Sequence, residues 1–188
     1  MKGRIAHVVG VDDAPFARTH RGDVLVVATV FSGQRLEGVL SGCVRRDGDD
    51  ATRALDELVA RSRFARHVQA VLLQGIALAG FNVIDIHELA GRLGRPVLVV
   101  ARRQPDLAAV RRALIEHVPG GPHKWALIER AGPMEPAGGV FVQRARIGRA
   151  EAVALVSQLQ IHGKLPEPLR VAHLIAGGVT TGESSGRA

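Results

Sequence analysis

In Val8-Val9-Gly10-Val11-Asp12-Asp13-Ala14-Pro15-Phe16 an apolar run ends in two adjacent carboxylates, a proline and an aromatic ring. Such a stretch reads as a buried strand that delivers acidic groups at its carboxyl end and then turns sharply. In α/β enzymes metal ligands gather there, at the mouth of a covered sheet, so the pattern points to metal-assisted phosphodiester chemistry. The plainer alternative is that Asp12 and Asp13 terminate a strand and bind turn amides ahead of Pro15.

Working outward, residues 5–11, 24–31 and 36–44 read as three consecutive strands, and short turns holding Pro15, Gly22, Gly33 and Gln34 make them antiparallel neighbours. A helix follows over 51–62, with Ala51, Leu55, Leu58 and Val59 on one face and Asp49 or Asp50 placed to cap it. The runs 70–73 and 97–101 are continuously apolar, the signature of parallel central strands covered on both faces. Between them a helix over 83–93 stops at Gly94 and Pro96. Beyond lie a helix over 107–118, a short helix around Trp125, a strand over 140–145 and helices over 149–160 and 169–176. This order predicts an α/β fold of the ribonuclease H-like type: a mixed sheet of three antiparallel strands followed by parallel strands, with helices on both faces. The first and fourth strands then lie side by side, so Asp12 and Gln74 face one cleft. One domain over 1–179 and a small polar tail over 180–188 account for the chain.

A length of 188 residues with 46% hydrophobic content supports one core. No apolar run approaches the roughly 20 residues of a membrane-spanning helix. Met1-Lys2-Gly3-Arg4 leads into a strand-like segment without a secretory signal, and the lone Cys43 fits a reducing compartment, so a cytoplasmic protein is expected. The net charge of +7 favours a polyanionic partner, although an arginine-rich composition alone produces the same surplus. With no Tyr and 3% aromatic residues, a broad base-stacking platform is not expected, and arginine contacts to phosphate would have to dominate.

The other candidates each carry a plain reading beside the functional one. Asp49 and Asp50 are ordinary helix caps or cleft acids, and Asp85 sits where a helix dipole favours a carboxylate anyway. Gly75 to Phe81 is either a packed turn or a loop that lets a base or sugar approach the backbone. Phe16 is a wedge beside a flipped base or a core ring. Arg170 and His173, three apart on the last helix, line the cleft or pair with acids. His7, His67, His87 and His117 lack the spacing of zinc ligands, and Cys43 reads as a small hydrophobe.

Several separated segments also resemble the endonuclease dU family, which is related to endonuclease V. They are Gly10-Val11-Asp12-Asp13-Ala14-Pro15-Phe16, Asp47-Gly48-Asp49-Asp50-Ala51-Thr52, Gly80-Phe81-Asn82-Val83-Ile84-Asp85-Ile86, and the ending Gly182-Glu183-Ser184 through Gly186-Arg187-Ala188. The stretch Leu165-Pro166-Glu167-Pro168-Leu169-Arg170 is similar to one in endonuclease V itself. The resemblance implies a ribonuclease H-like nuclease that uses Mg²⁺ or Mn²⁺ on deaminated bases in DNA, deoxyuridine foremost; RNA is the other polyanion that the net charge allows. The resemblance makes Asp12 the principal metal ligand and catalytic residue; where the other ligands of endonuclease V are missing, acidic substitutes have to come from Asp13, Asp49, Asp50 or Asp85, with Asp13 and Asp49 read as catalytic assistants and Asp13 and Asp85 as further ligands. Substrate contacts fall to Phe16, Gln74, Gly75, Gly80, Asn82, Arg102, Arg103, Arg170 and His173. The chain departs from endonuclease V at Gln74, where a second metal-binding aspartate stands, and at Arg102 or Arg103, where a lysine stands. It also lacks that enzyme's completing glutamate and the His of its Gly-His-Arg segment, reading Ile147-Gly148-Arg149 there. The second reading is therefore a non-catalytic nucleic-acid or nucleotide binder that keeps the scaffold without a complete metal site.

Overall fold

Valines at 8, 9 and 11 are β-branched and wholly buried, and they form the central strand β1 (His7–Asp13) of a computed structural model that describes residues 5–185. Met1 to Arg4 and the predicted closing motif Gly186-Arg187-Ala188 lie outside the described residues. β2 (Asp23–Ser32) pairs antiparallel with β1, and β3 (Arg35–Arg45) pairs antiparallel with β2 across a turn at Gly33. After α1 (Ala51–Ala60) the chain enters β4 (Ala70–Gln74), which runs parallel to β1 with Val11 opposite Leu73.

The predicted helix over 83–93 starts later than its periodicity suggests. Residues 75–83 instead form a small hairpin, β5 (Ala77–Leu78) against β6 (Asn82–Val83), and α2 (Ile86–Leu93) begins only after Asp85. The reason lies in Asn82, which is fully buried. Its Oδ1 accepts from the N–H of Ala51 at 3.0 Å, and its Nδ2 donates to the Arg45 carbonyl and to Asp50 Oδ1. That fixes residues 82–83 as extended chain. It also caps α1 from 31 residues away, because Asp50, although at the N-cap position, makes no cap bond to the helix.

β7 (Val97–Ala101) lies parallel beside β4, and α3 (Leu107–His117) and α4 (Gly121–Arg130) form a helical pair at that side. An edge strand β8 (Glu135–Ala137), which its Pro136 hides from a sequence reading, pairs with β9 (Val140–Ala145), and β9 runs antiparallel to β7. The sheet order is β3-β2-β1-β4-β7-β9-β8, the predicted meander followed by central parallel strands. Helix α5 (Arg149–Leu159) and helix α6 (Glu167–Thr181) complete the chain. α6 begins with a tolerated proline in its first turn and runs to a left-handed Gly182, so it extends past position 180, where a tail was expected.

Each face of the sheet has its own core. Val9, Val11, Val71, Leu73 and Val99 pack with α1 and α2, while Val8, Leu72, Leu98 and Val100 pack with α5 and the start of α6. α6 lies tightly on β1: a Cβ at Gly10 would meet the Pro168 carbonyl carbon at 2.4 Å, and Thr29 Oγ1 donates to the Pro168 carbonyl at 2.7 Å. The glycine of the first motif and the Pro-Glu-Pro of the last are thus two halves of one contact. Among the described residues no helix is long and apolar enough to cross a membrane.

Candidate active site

Side chains alternate between the two faces along a strand, and Gly10 and Leu72 both face α6. Two residues further on, Asp12 and Gln74 leave the carboxyl ends of β1 and β4 on that same face. The strands carrying them are neighbours, about 4.8 Å apart. Asp12 is 5% exposed, and its Oδ2 lies 2.8 Å from Nδ1 of His173, projected from the middle of α6. Burial pushes the Asp12 carboxyl up to about 6, opposed by the His173 hydrogen bond and reinforced by the neighbouring charge of Asp13. Gln74 Oε1 is buried and accepts no hydrogen bond among the described residues.

Asp13 points to the other face. Its Oδ2 accepts from the Ala79 N–H at 2.8 Å, which ties the β5–β6 hairpin to the end of β1; burial raises this carboxyl as well, against that same hydrogen bond. The doublet therefore does not form one two-carboxylate cage, because pleating separates what the sequence sets side by side. Around the hairpin a tight network continues. Asp47 and Ala79 both hold left-handed φ, at 52° and 49°, and Asp47 N–H donates to the Ala79 carbonyl at 2.9 Å. Asp47 Oδ1 accepts from Phe81 N–H, and Lys124, 4% exposed on α4, donates to the Asp47 carbonyl. Lys124 is one of only three lysines in the chain, and burial lowers its pKa against the charges of Asp47 and Asp49.

The remaining candidates divide between the two roles. His173 joins Asp12. Gly75, with φ 84°, opens the hairpin loop directly after Gln74, and Gly80 is glycine both for its φ of 87° and for room, since a Cβ there would sit 2.5 Å from Asp47 Oδ1. Asn82 is a clamp between helix and strand, and Arg170 is engaged with Glu167 through 2.6 and 2.8 Å bonds. Phe16 lies under the Arg46 guanidinium, 5.5 Å from ring centre to carbon, and Arg46 also donates to the carbonyls of Arg18 and His20. Arg102 and Arg103 are exposed just beyond β7, and Asp49 is exposed before α1. Asp85 does not join Asp12: it caps α2 through the Glu88 N–H and pairs with Arg130. Among the described residues no three His, Cys, Asp or Glu side chains gather into a metal-holding group. Thr29, Asp47 and Lys124 escape a sequence reading because their roles depend on contacts 18 or more residues away; the rarity of lysine is the one signal pointing at Lys124.

Comparison with known proteins places this arrangement. A UPF0215 protein of Deinococcus radiodurans is 57% identical over 184 residues, covering 98% of this chain and 94% of that protein. A crystal structure of a protein of unknown function from Archaeoglobus fulgidus superposes with a TM-score of 0.86 at 33% identity, covering 93% of this chain and 98% of that one. The fold is also that of endonuclease V. The Ciona intestinalis enzyme, solved in complex with a 24mer DNA containing an inosine followed by a ribo-adenosine, superposes with a TM-score of 0.56 at 12% identity over 89% of this chain and 82% of that one. Residues 4–180 match the family described as endonuclease dU, and the chain belongs to that family.

Proposed function

We propose that this protein is a divalent-metal-dependent endonuclease that cuts DNA at or beside a deaminated base, deoxyuridine foremost. Family membership and the endonuclease V fold support a nuclease, and the observation that carries the metal dependence is the position of Asp12, a buried carboxylate at the carboxyl end of the central strand, held by His173. The residues there fit a hard cation. Asp12 offers a carboxylate, and Gln74 Oε1 is an orphaned buried oxygen on the same face, the type of donor that Mg²⁺ and Mn²⁺ take. Asp12 and Gln74 would be the residues to hold such an ion, which would supply the Lewis-acid charge that holds a scissile phosphate and makes water acidic.

The chain's own groups prepare that site. The His173 ring fixes one oxygen of Asp12 and leaves the other directed away from the hydrogen bond, so the carboxylate enters the site already oriented. Its burial means that water screens its charge weakly. Asp13 holds the β5–β6 hairpin against β1 and so sets one wall beside Gly75, where a nucleotide can approach backbone. Arg102 and Arg103 stand exposed at the adjoining strand end, suited to bidentate contact with phosphate.

The test is cleavage of oligonucleotides bearing uracil, hypoxanthine or only normal bases, with and without Mn²⁺. Wild type nicks the uracil strand and Asp12→Ala does not, while keeping its fold by circular dichroism; unchanged cutting by the variant overturns the proposal. The neutral Gln74 favours a second reading, a binder without catalysis. Salt-sensitive DNA binding with no scission under any divalent metal would establish that one instead.

A further inference from the structure

At the opposite end of the sheet from Asp12, the amino ends of β1, β4 and β7 and the end of β9 surround an open cleft of about 850 Å³. Five basic or imidazole side chains line it, Arg66, Arg95, Arg146, His7 and His67, against one acid, Glu151. That acid accepts from the Gly148 N–H through Oε2 at 3.2 Å and keeps its charge, so the arginines outnumber it three to one. Arg95 is held in place by donating from Nε to the Val68 carbonyl and from Nη1 to the Gly94 carbonyl, neither of which neutralises it. Arg66 and Arg146 are exposed, and among the described residues neither has an ion pair or hydrogen-bond partner. Arg146 also holds a left-handed φ of 59°, a conformation that non-glycine residues rarely keep and that aims its side chain from the end of β9 into this cleft. The His7 and His67 rings lie 6.0 Å apart, two flat faces at the cleft wall.

We infer that this cleft binds a phosphate group carried on a nucleotide-sized body, at a site separate from the Asp12 face. Three guanidinium groups that converge on one space against a single carboxylate leave a net positive field, and their planar forks match phosphate oxygens in pairs. The volume is far larger than a bare phosphate needs and falls in the range of small-ligand sites, with the histidine rings available to a base. Along β1, His7 and Asp12 are separated by roughly 17 Å at about 3.3 Å per residue, so one bound nucleotide cannot occupy both ends. The phosphate belongs either to a free nucleotide or to a residue of a nucleic-acid strand that rounds the sheet.

Calorimetric titration of the full chain in EDTA, which silences any metal chemistry at Asp12, separates the cases. The probes are inorganic phosphate, deoxyadenosine monophosphate and a 5′-phosphorylated single-stranded oligonucleotide. The proteins are wild type, Arg66→Gln, the double variant Arg66→Gln with Arg146→Gln, and Asp12→Ala. The expected result is that the mononucleotide or the oligonucleotide binds more tightly than inorganic phosphate. That binding should weaken at least tenfold in the double variant, less in the single one, and stay unchanged in Asp12→Ala. Preference for the mononucleotide identifies a free ligand, and preference for the oligonucleotide identifies a strand; either supports the site. No binding of any probe, binding no tighter than that of inorganic phosphate, or equal affinity in wild type and both arginine variants overturns it.

Discussion

Gln74 Oε1 is a buried acceptor without a donor among the described residues, and a buried unpaired polar atom costs about 1–3 kcal/mol. Replacing it with the similarly sized, apolar leucine removes that cost. Gln74→Leu should therefore unfold at higher denaturant concentration than wild type, a gain of about 1 kcal/mol, while its Mn²⁺ affinity by calorimetry falls at least tenfold. Gln74→Glu should reverse both trends, and a Gln74→Leu protein that keeps wild-type Mn²⁺ affinity would remove the amide from the metal site. Gly10 makes the opposite kind of test. A methyl group there runs into the Pro168 backbone at 2.4 Å, and backbone cannot swing away as a side chain can. Gly10→Ala should cost about 1–3 kcal/mol in chemical denaturation, as overpacking does, and should displace α6 and with it His173.

Two elements owe their places to single charged groups. α6 starts on Glu167, whose side chain is 8% exposed and is held by Arg170 at 2.6 Å and by His162 at 3.2 Å. The Arg170 hydrogen bond lowers the Glu167 carboxyl below its ordinary range, outweighing the opposing effect of burial. A carboxylate more acidic in the folded protein than in the unfolded chain stabilises fully above its unfolded pKa, and that stabilisation disappears as pH falls through the lower, folded value. Thermal unfolding followed from neutral pH downward should thus show a steep loss below the ordinary carboxylate range, and Glu167→Gln should be less stable at neutral pH with a flatter acid limb. The β5–β6 hairpin depends similarly on Lys124, whose ammonium serves the carbonyl of the strained Asp47. Lys124→Met should leave that carbonyl without its charged donor and speed amide exchange at Ala79 and Phe81 before it affects the sheet. The strands and most helices are legible in the chain because periodicity and Gly/Pro stops are local signals. The hairpin is not, since residues 75–81 read as a turn or loop, Val83, Ile84 and Ile86 join the apolar pattern of the helix that follows, and only the distant demand of α1 for the Asn82 amide makes residue 82 extended.

For the whole molecule, the arrangement of central strands brings Asp12 and Gln74 together as the order of elements predicted, and His173 arrives from 161 residues away. Which acids share the site was not legible, because Asp13, Asp50 and Asp85 are each consumed by backbone amides or by Arg130. The +7 charge makes a global prediction: affinity for a DNA duplex should fall linearly on a log–log plot against salt, with a slope near the number of arginine–phosphate contacts, and Arg102→Gln should reduce that slope by about one. The Asp12–Asp13 doublet has its own consequence at this scale. Because consecutive residues of β1 serve opposite faces, the pair marks the strand's parity, like the two hands of a reading frame. Exchanging one carboxylate at a time, Asp12→Asn or Asp13→Asn, should give two separable phenotypes, a well-folded but inert protein and a loosened hairpin, whereas inserting one residue into β1 would trade the duties of the two positions at once.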